Sequence, residues 1–146
     1  MDLFADTNNT KERRFYSKFA CPGSEGTDAL QFSWDDAVPW ICTPPGLIIR
    51  VVKKIAAAVR MSGVLVVPVW RTAMFWPFLC PDGTHLSAIF AGYKIVQPFL
   101  VQNDPVEAGT YSLMKGYTTF PFLALRIKKR ESKIDCYETG NVKLEM

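Results

Sequence analysis

The chain has 146 residues, of which 49% are apolar and 21% are charged, a balance typical of one globular domain and unlike that of disordered segments. Lysine and arginine (17) exceed aspartate and glutamate (14), giving a net charge of +3, which permits a polyanionic partner without requiring one. One histidine and four widely spaced cysteines argue against a zinc site, and the apolar runs are too short for a membrane span. We therefore expect a single intracellular domain over residues 1–146 with no metal.

The first half of the chain predicts short strands followed by one clear helix. Short strands are predicted at residues 2–5, 15–17 and 38–42. Pro44-Pro45 ends the third strand, and such a pair also suits the first turn of a helix. Apolar residues then recur every three or four positions over residues 47–59, which predicts a helix with one buried face. We expect Gly63 to end this helix.

Residues 64–69 are apolar throughout, which predicts a strand buried on both faces by helices in a parallel sheet. Together with the preceding strand and helix, this strand completes a predicted βαβ unit. The remaining predictions are a helix at 72–79, a turn at 81–84, strands at 86–91, 93–101 and 118–127, a loop at 102–116, and a C-terminal edge strand or tail.

This order of elements predicts an open α/β sheet, mostly parallel, with a C-terminal antiparallel pair. Ligands of such sheets bind at the carboxyl ends of the strands. The candidate positions are Ala5-Asp6, residues 42–45 and residues 68–70. We expect the first two of these strand tips to be neighbours and to form a shared crevice.

Short motifs in the first half of the chain follow a familiar order. They are Asp2-Leu3-Phe4-Ala5, Asn9, Arg14-Phe15-Tyr16-Ser17, Pro22-Gly23, Asp28-Ala29-Leu30, Trp34, Pro44-Pro45, Leu47-Ile48, Val51-Val52, Lys54, Gly63, Val67-Pro68-Val69-Trp70 and Trp76-Pro77. Together they resemble the segment that follows the reverse transcriptase and RNase H of DIRS-type tyrosine-recombinase retrotransposons. That segment is similar to the phage-type Dam family of DNA adenine-N6 methyltransferases. The resemblance covers residues 2–79.

The resemblance implies a Rossmann-like three-layer sandwich, S-adenosylmethionine as methyl donor and an adenine of DNA as acceptor. In that family an Asp or Asn side chain and the next prolyl carbonyl hold the amine, and an aromatic ring stacks the extruded base. Carried onto this chain, the resemblance assigns catalysis to Thr43, Pro44 and Pro45, and cofactor binding to Asp2, Ala5 and Asp6.

The tetrad Thr43-Pro44-Pro45-Gly46 departs from the family's Asn-Pro-Pro-Tyr motif at both outer positions. Thr43 offers a single hydroxyl, and Gly46 has no ring. The glycine-rich turn that usually follows the first strand is replaced by Asp6-Thr7-Asn8. Trp40 and Trp70 are the remaining candidates for stacking the base. We therefore expect methyl transfer to be weak or lost.

The predicted helix and the residue beyond it carry Arg50, Lys53, Lys54 and Arg60 with no acid among them. This set favours either phosphate contacts or a solvated helix face. For residues 126–130 the alternatives are phosphate contacts and a strand that runs into a basic turn. Our first hypothesis is a retroelement-derived domain that binds DNA or RNA and has lost catalysis. The alternatives are an active methyltransferase and a non-catalytic structural or protein-interaction module of a retrotransposon polyprotein or a domesticated host protein.

Overall fold

The computed structural model describes residues 1–5, 12–98, 120–129 and 134–146. The elements in chain order are β1 (Trp40–Cys42), α1 (Ile48–Ala57), β2 (Met61–Pro68), α2 (Trp76–Leu79), β3 (His85–Ser87), β4 (Phe90–Val96), β5 (Phe122–Lys129) and β6 (Thr139–Lys143). Two 3-10 turns lie at Ala29–Gln31 and Pro45–Leu47. The strands form a four-stranded sheet in the order β1-β2-β5-β4 and a separate two-stranded sheet of β3 and β6.

The expected Rossmann-like three-layer sandwich with a mostly parallel sheet is wrong. The pair β1–β2 is parallel, but β2–β5, β4–β5 and β3–β6 are all antiparallel. The larger sheet is therefore mixed, because β5 runs opposite to both of its neighbours. Its burial pattern also shows one covered face rather than two.

The predicted βαβ unit is confirmed by the pairing of β1 with β2, in which Trp40 lies opposite Val64. Pro45 begins the 3-10 turn that leads into α1, since the fixed φ of proline suits the start of a helix. The helix buries the apolar face that its spacing predicts, made of Ile48, Val51, Val52 and Ile55. The sequence pattern thus located both the helix and its core side.

Strands β2 and β5 alternate between buried and accessible side chains. Leu65 and Val67 are fully or almost fully buried, whereas Val64 and Val66 are only half-buried. Their register partners in β5 follow the same alternation, because paired residues share one face of a sheet. The expectation that residues 64–69 are covered on both faces is therefore wrong, since only one side packs against α1.

Helix α1 ends at Ala57, and its carboxyl end is capped by a lysine of the sheet. Lys129 is the last residue of β5 and is buried. Its Nζ donates hydrogen bonds to the carbonyl oxygens of Ile55, Ala56 and Ala58 at 3.0, 2.5 and 2.5 Å. The Ile55 and Ala56 carbonyl oxygens also accept hydrogen bonds from the Ala58 and Ile134 N–H groups, at 3.2 and 3.3 Å. The ammonium group adds a positive charge and three donors at the negative end of the helix dipole, and the helix ends without a terminal glycine.

Gly63 lies within β2 and does not end the helix, which corrects our expectation. A Cβ atom at this position would lie 2.3 Å from the carbonyl oxygen of Pro39. The same oxygen accepts a hydrogen bond from the Val64 N–H at 3.1 Å. Glycine is needed here because the chain entering β1 approaches the β2 backbone too closely for a side chain.

The second half of the chain matches its predicted elements in part. The helix predicted at 72–79 is reduced to the single turn α2, and a turn at 88–89 divides the strand predicted at 86–91. The strand predicted at 118–127 is observed as β5, and the C-terminal segment forms the edge strand β6. The loop predicted at 102–116 lies outside the described residues.

We predict that Lys129→Met lowers the free energy of unfolding by about 2 kcal/mol, because it removes three hydrogen bonds at the end of α1 and takes the ammonium donor away from the Ala58 carbonyl oxygen. Chemical denaturation measures the change. The matched control is Lys128→Met, whose side chain is exposed on the opposite side of β5, and we expect it to stay within about 0.5 kcal/mol of the parent. Equal stabilities of the two variants would show that the hydrogen bonds of Lys129 contribute nothing.

We predict that Gly63→Ala lowers the free energy of unfolding by about 2 kcal/mol, since the new methyl group overlaps the Pro39 carbonyl and the strands must move apart. Gly46→Ala is the control, because a Cβ atom there meets no atom within 4 Å. We expect that control to leave stability unchanged or to raise it by up to about 1 kcal/mol. A stable Gly63→Ala variant would contradict the close approach of the two segments.

Candidate functional site

The two strand tips expected to form a crevice are neighbours in the structure. Asp2 makes parallel bridges with Phe15 on one side and with Trp40 on the other. The N-terminal segment therefore lies beside β1 and runs in the same direction, which confirms that the two strands are neighbours, whereas Asp6 of the first tip lies outside the described residues. Ala5 and Thr43 are each only 7% exposed, although Cys42 and Pro44 are exposed.

The predicted catalytic residues Thr43, Pro44 and Pro45 form the turn between β1 and α1. The Thr43 hydroxyl donates to the Pro44 carbonyl oxygen at 3.5 Å, and the Leu47 N–H donates to the same oxygen at 2.9 Å. A carbonyl oxygen has two lone pairs, so both are engaged within the chain. The interpretation of the proline pair as the end of a strand and the start of a helix is confirmed.

The predicted cofactor-binding residues belong to the N-terminal segment. Asp2 is half-buried, and its Oδ1 accepts a hydrogen bond from the Phe4 N–H at 3.0 Å. Burial raises the pKa of the Asp2 carboxyl group, because desolvation disfavours the charged form. The Ala5 N–H donates to the Tyr16 carbonyl at 3.0 Å, and Asp6 lies outside the described residues.

Three of the four predicted nucleic-acid-binding residues lie on α1. Arg50 and Lys53 are exposed, and the Lys53 Nζ lies 5.6 Å from the centroid of the Phe78 ring. Lys54 is half-buried, and its Nζ lies 5.4 Å from the Trp34 ring. Such contacts are cation–π interactions. Two of the predicted phosphate ligands thus pack against aromatic rings of their own chain.

The fourth residue, Arg60, lies beyond the helix at a cleft of 330 Å³, found where β1 and β2 begin and β5 ends. The cleft is at the opposite end of the parallel pair from Thr43. Its lining includes Asp36, Val38, Arg60, Ser62, Lys128 and Lys129. The Arg60 Nε lies 2.9 Å from the Asp36 carboxylate. The structure therefore places Arg60 beside Lys128 and Lys129 of the second basic segment, rather than beside the other cations of the helix.

The side of the four-stranded sheet turned away from α1 is named the open face. It carries Trp40, Cys42, Ser62, Val64, Val66, Lys94, Ala124, Arg126 and Lys128. Its β1 edge is apolar, and Trp40 is 42% exposed there. The cations Arg126, Lys128 and Lys94 are exposed on β5 and β4. Asp2, which pairs with Trp40 in the N-terminal segment, is half-buried on the same side.

Strand pairing sets the spacing of the groups on the open face. Trp40, Val64 and Arg126 form one row across three strands, so the backbones that bear the indole and the guanidinium are about 10 Å apart. Lys128 is two residues along β5 from Arg126, a distance of about 7 Å. Lys94 lies in the next row, opposite Ala124. An apolar strip with an exposed ring thus runs beside a strip of cations.

The open face has a sequence signal that the predicted fold obscured. In β5 the apolar residues Leu123, Leu125 and Ile127 alternate with Arg126 and Lys128 beyond Ala124. A period of two with alternating polarity is typical of a strand with one solvated face. The predicted strand ends at Ile127 and runs into a basic turn, whereas the observed strand continues through Lys128 to Lys129.

No protein-family model and no curated protein matches this chain. No helix within the described residues is long and apolar enough to cross a membrane. In the same part of the chain, no group of three or more His, Cys, Asp and Glu side chains is placed to hold a metal ion. The resemblance to the retrotransposon segment stays a prediction.

We predict that Asp2→Asn is at least as stable as the parent protein at neutral pH. The raised pKa means that the folded state binds this proton more tightly than the unfolded state, so the contribution of Asp2 to stability falls as pH rises from 3.8 through the folded pKa. Asparagine keeps the acceptor for the Phe4 N–H without the charge. Thermal unfolding at several pH values measures this, and the two proteins should converge below pH 3.8, where both side chains are neutral.

Asp82→Asn is the comparison variant, for which we expect removal of the charge to have the opposite effect on stability at neutral pH. The Asp82 Oδ1 accepts hydrogen bonds from the His85 and Thr84 N–H groups at 2.6 and 2.8 Å, which hold the pKa of this carboxyl far below its ordinary value. Its contribution to stability is present above pH 3.8 and is lost as pH falls through the folded pKa, so removing the charge should destabilise the protein at neutral pH. A destabilised Asp2→Asn would show that the Asp2 charge is required as well.

Proposed function

We propose that the open face binds single-stranded nucleic acid, with Trp40 stacking a base and Arg126, Lys128 and Lys94 contacting phosphates. The observation that supports this function best is the placement of an exposed indole and three exposed cations on one face of the sheet. Proteins that bind single strands combine these two features, a basic surface for the backbone and aromatic rings for the bases.

A single strand fits this surface better than a duplex does. A ring on a sheet face can stack on a base only when the base is unpaired or has been turned out of its helix. Val64 and Val66 lie next to Trp40 and Cys42 in the neighbouring strand, and they extend the apolar area beside the indole. The cations lie one and two strands further across the sheet, where a backbone flanking stacked bases would pass.

A protein partner is the second candidate for the same surface. Val38 is 68% exposed and Trp40 is 42% exposed, and these two apolar side chains near the sheet edge favour contact with another protein. Binding of this kind would depend little on salt, whereas phosphate contacts weaken steeply as salt rises. Salt dependence therefore separates the two functions.

Methylation of adenine with S-adenosylmethionine stays a prediction that rests on the resemblance alone. The Thr43 side chain is buried, and the Pro44 carbonyl is engaged by two donors of the same chain. The proposed binding of nucleic acid does not depend on this chemistry, because Trp40, Arg126, Lys128 and Lys94 are not among the residues that the resemblance assigns to catalysis or to the cofactor.

We predict that Trp40→Ala weakens the binding of a fluorescently labelled single-stranded oligonucleotide by at least about fivefold, since stacking of one base contributes about 1 to 3 kcal/mol. Fluorescence anisotropy measures the affinity. Tyr137→Ala is the matched control, because Tyr137 is 54% exposed and packs against Phe78 of α2, away from the open face. The control should bind within about twofold of the parent protein.

The same measurement at several salt concentrations tests the cations. With three phosphate contacts, the slope of log K against log salt should be about −2, and Arg126→Gln should reduce its magnitude by about 0.7. Arg50→Gln makes the same charge change on α1 and should leave the slope unaltered. Loss of the slope with Arg50→Gln instead would move the interface to the helix, and the absence of binding at low salt would refute the proposal.

A further inference from the structure

The cleft next to the open face differs from it in charge and in shape. Arg60, Lys128 and Lys129 contribute three positive charges to its lining, against one negative charge from Asp36. Ser62 and Lys128 are cross-strand partners and belong to both surfaces. The cations of the open face therefore continue without interruption into a concave, positively charged recess.

The cations of the cleft differ in what they can offer a ligand. The Nζ of Lys129 has a carbonyl oxygen for each of its three protons, so it adds positive potential but no free donor. Lys128 is exposed, and the Ser62 hydroxyl lies on the neighbouring strand. An anion in the cleft would thus take its hydrogen bonds from Lys128, Ser62 and Arg60.

Arg60 is accessible to such an anion even though it is paired with Asp36. The side chains of both residues are 64% exposed, and ion pairs at that exposure contribute only about 0 to 1 kcal/mol. A guanidinium binds phosphate oxygens through two parallel hydrogen bonds. A phosphate group can therefore displace the Asp36 carboxylate from Arg60 at small cost.

Two acids lie at the cleft, and one of them, Asp36, is part of its lining. Asp35 and Asp36 are both exposed beside the cleft, and the Asp35 carboxylate is fixed by a hydrogen bond from the Val59 N–H at 2.7 Å. A strand that continued past the cleft would bring its next phosphate close to these carboxylates. Repulsion between like charges disfavours that path, so the cleft suits the end of a strand better than its middle.

We propose that the cleft binds the terminal phosphate of a nucleic-acid strand lying on the open face, through Arg60, Ser62 and Lys128. This site rests on the proposed function and adds a preference for one end of the strand. A terminal phosphate monoester carries more charge at neutral pH than an internal diester, about −1.5 to −2 for a monoester. This charge matches that of Arg60 and Lys128, the two cations of the cleft whose side chains can reorient toward a ligand.

The test compares three oligonucleotides of one sequence, carrying a 5′ phosphate, a 3′ phosphate or no terminal phosphate, by fluorescence anisotropy with the full chain. We expect one phosphorylated end to bind about tenfold more tightly than both other oligonucleotides, as one added charge-assisted contact would produce. Arg60→Gln should remove this preference, so that the three oligonucleotides bind the variant with equal affinity. Arg71→Gln, which alters an exposed cation just beyond the other end of β2, should keep the preference.

The possible results distinguish failure of the terminal-phosphate site from failure of the proposed function. Equal binding of the three oligonucleotides refutes the terminal-phosphate site and leaves the open face as the interface. A preference that survives Arg60→Gln places the phosphate elsewhere and also refutes the site. No binding of any of the three refutes the proposed function, and the cleft proposal is then rejected with it.

Discussion

The hydrogen bonds between the Lys129 ammonium group and the end of α1 hold the helix and the sheet in one arrangement. Lys129 lies opposite Met61 at the end of the β2–β5 ladder, and its Nζ reaches three carbonyl oxygens of the crossover helix. A slip of β5 by one residue would turn Lys129 to solvent and would exchange the two faces of the whole strand. The register of β5 therefore determines whether these hydrogen bonds to the end of α1 can form.

That constraint also determines which side chains remain accessible. With Lys129, Ile127 and Leu125 on the covered side, Arg126 and Lys128 must lie on the other side, next to Val64 and Ser62. The helix is thus the reason why the cations are presented together, although it makes no contact with them. A three-layer sandwich would have covered this surface with a second set of helices, whereas the observed mixed sheet leaves it accessible beside an exposed tryptophan.

The sequence predicted local structure well and long-range pairing poorly. The apolar spacing over 47–59 located α1 and its buried side, and the βαβ unit followed from short-range order. The position of β5 between β2 and β4 could not be predicted, because pairing between segments about 60 residues apart leaves no local pattern. Residues 64–69 were misleading, since valine is tolerated on a half-exposed sheet surface as well as in a core. Of the candidate site, Arg60 and Trp40 were noted from the sequence, but only the antiparallel pairing brings them near Lys128 and Arg126.

The pairing of the first residues with β1 has a consequence for how the protein behaves in solution. The Trp40 N–H donates to the Met1 carbonyl at 2.8 Å, and the Leu3 N–H donates to the Trp40 carbonyl at 3.2 Å. These contacts occupy backbone groups that an uncovered outer strand would offer to other molecules, and uncovered outer strands promote aggregation. The N-terminal segment therefore protects the edge of β1 from pairing with another molecule. Its removal would expose that edge, next to the apolar part of the sheet, and would favour strand pairing between molecules.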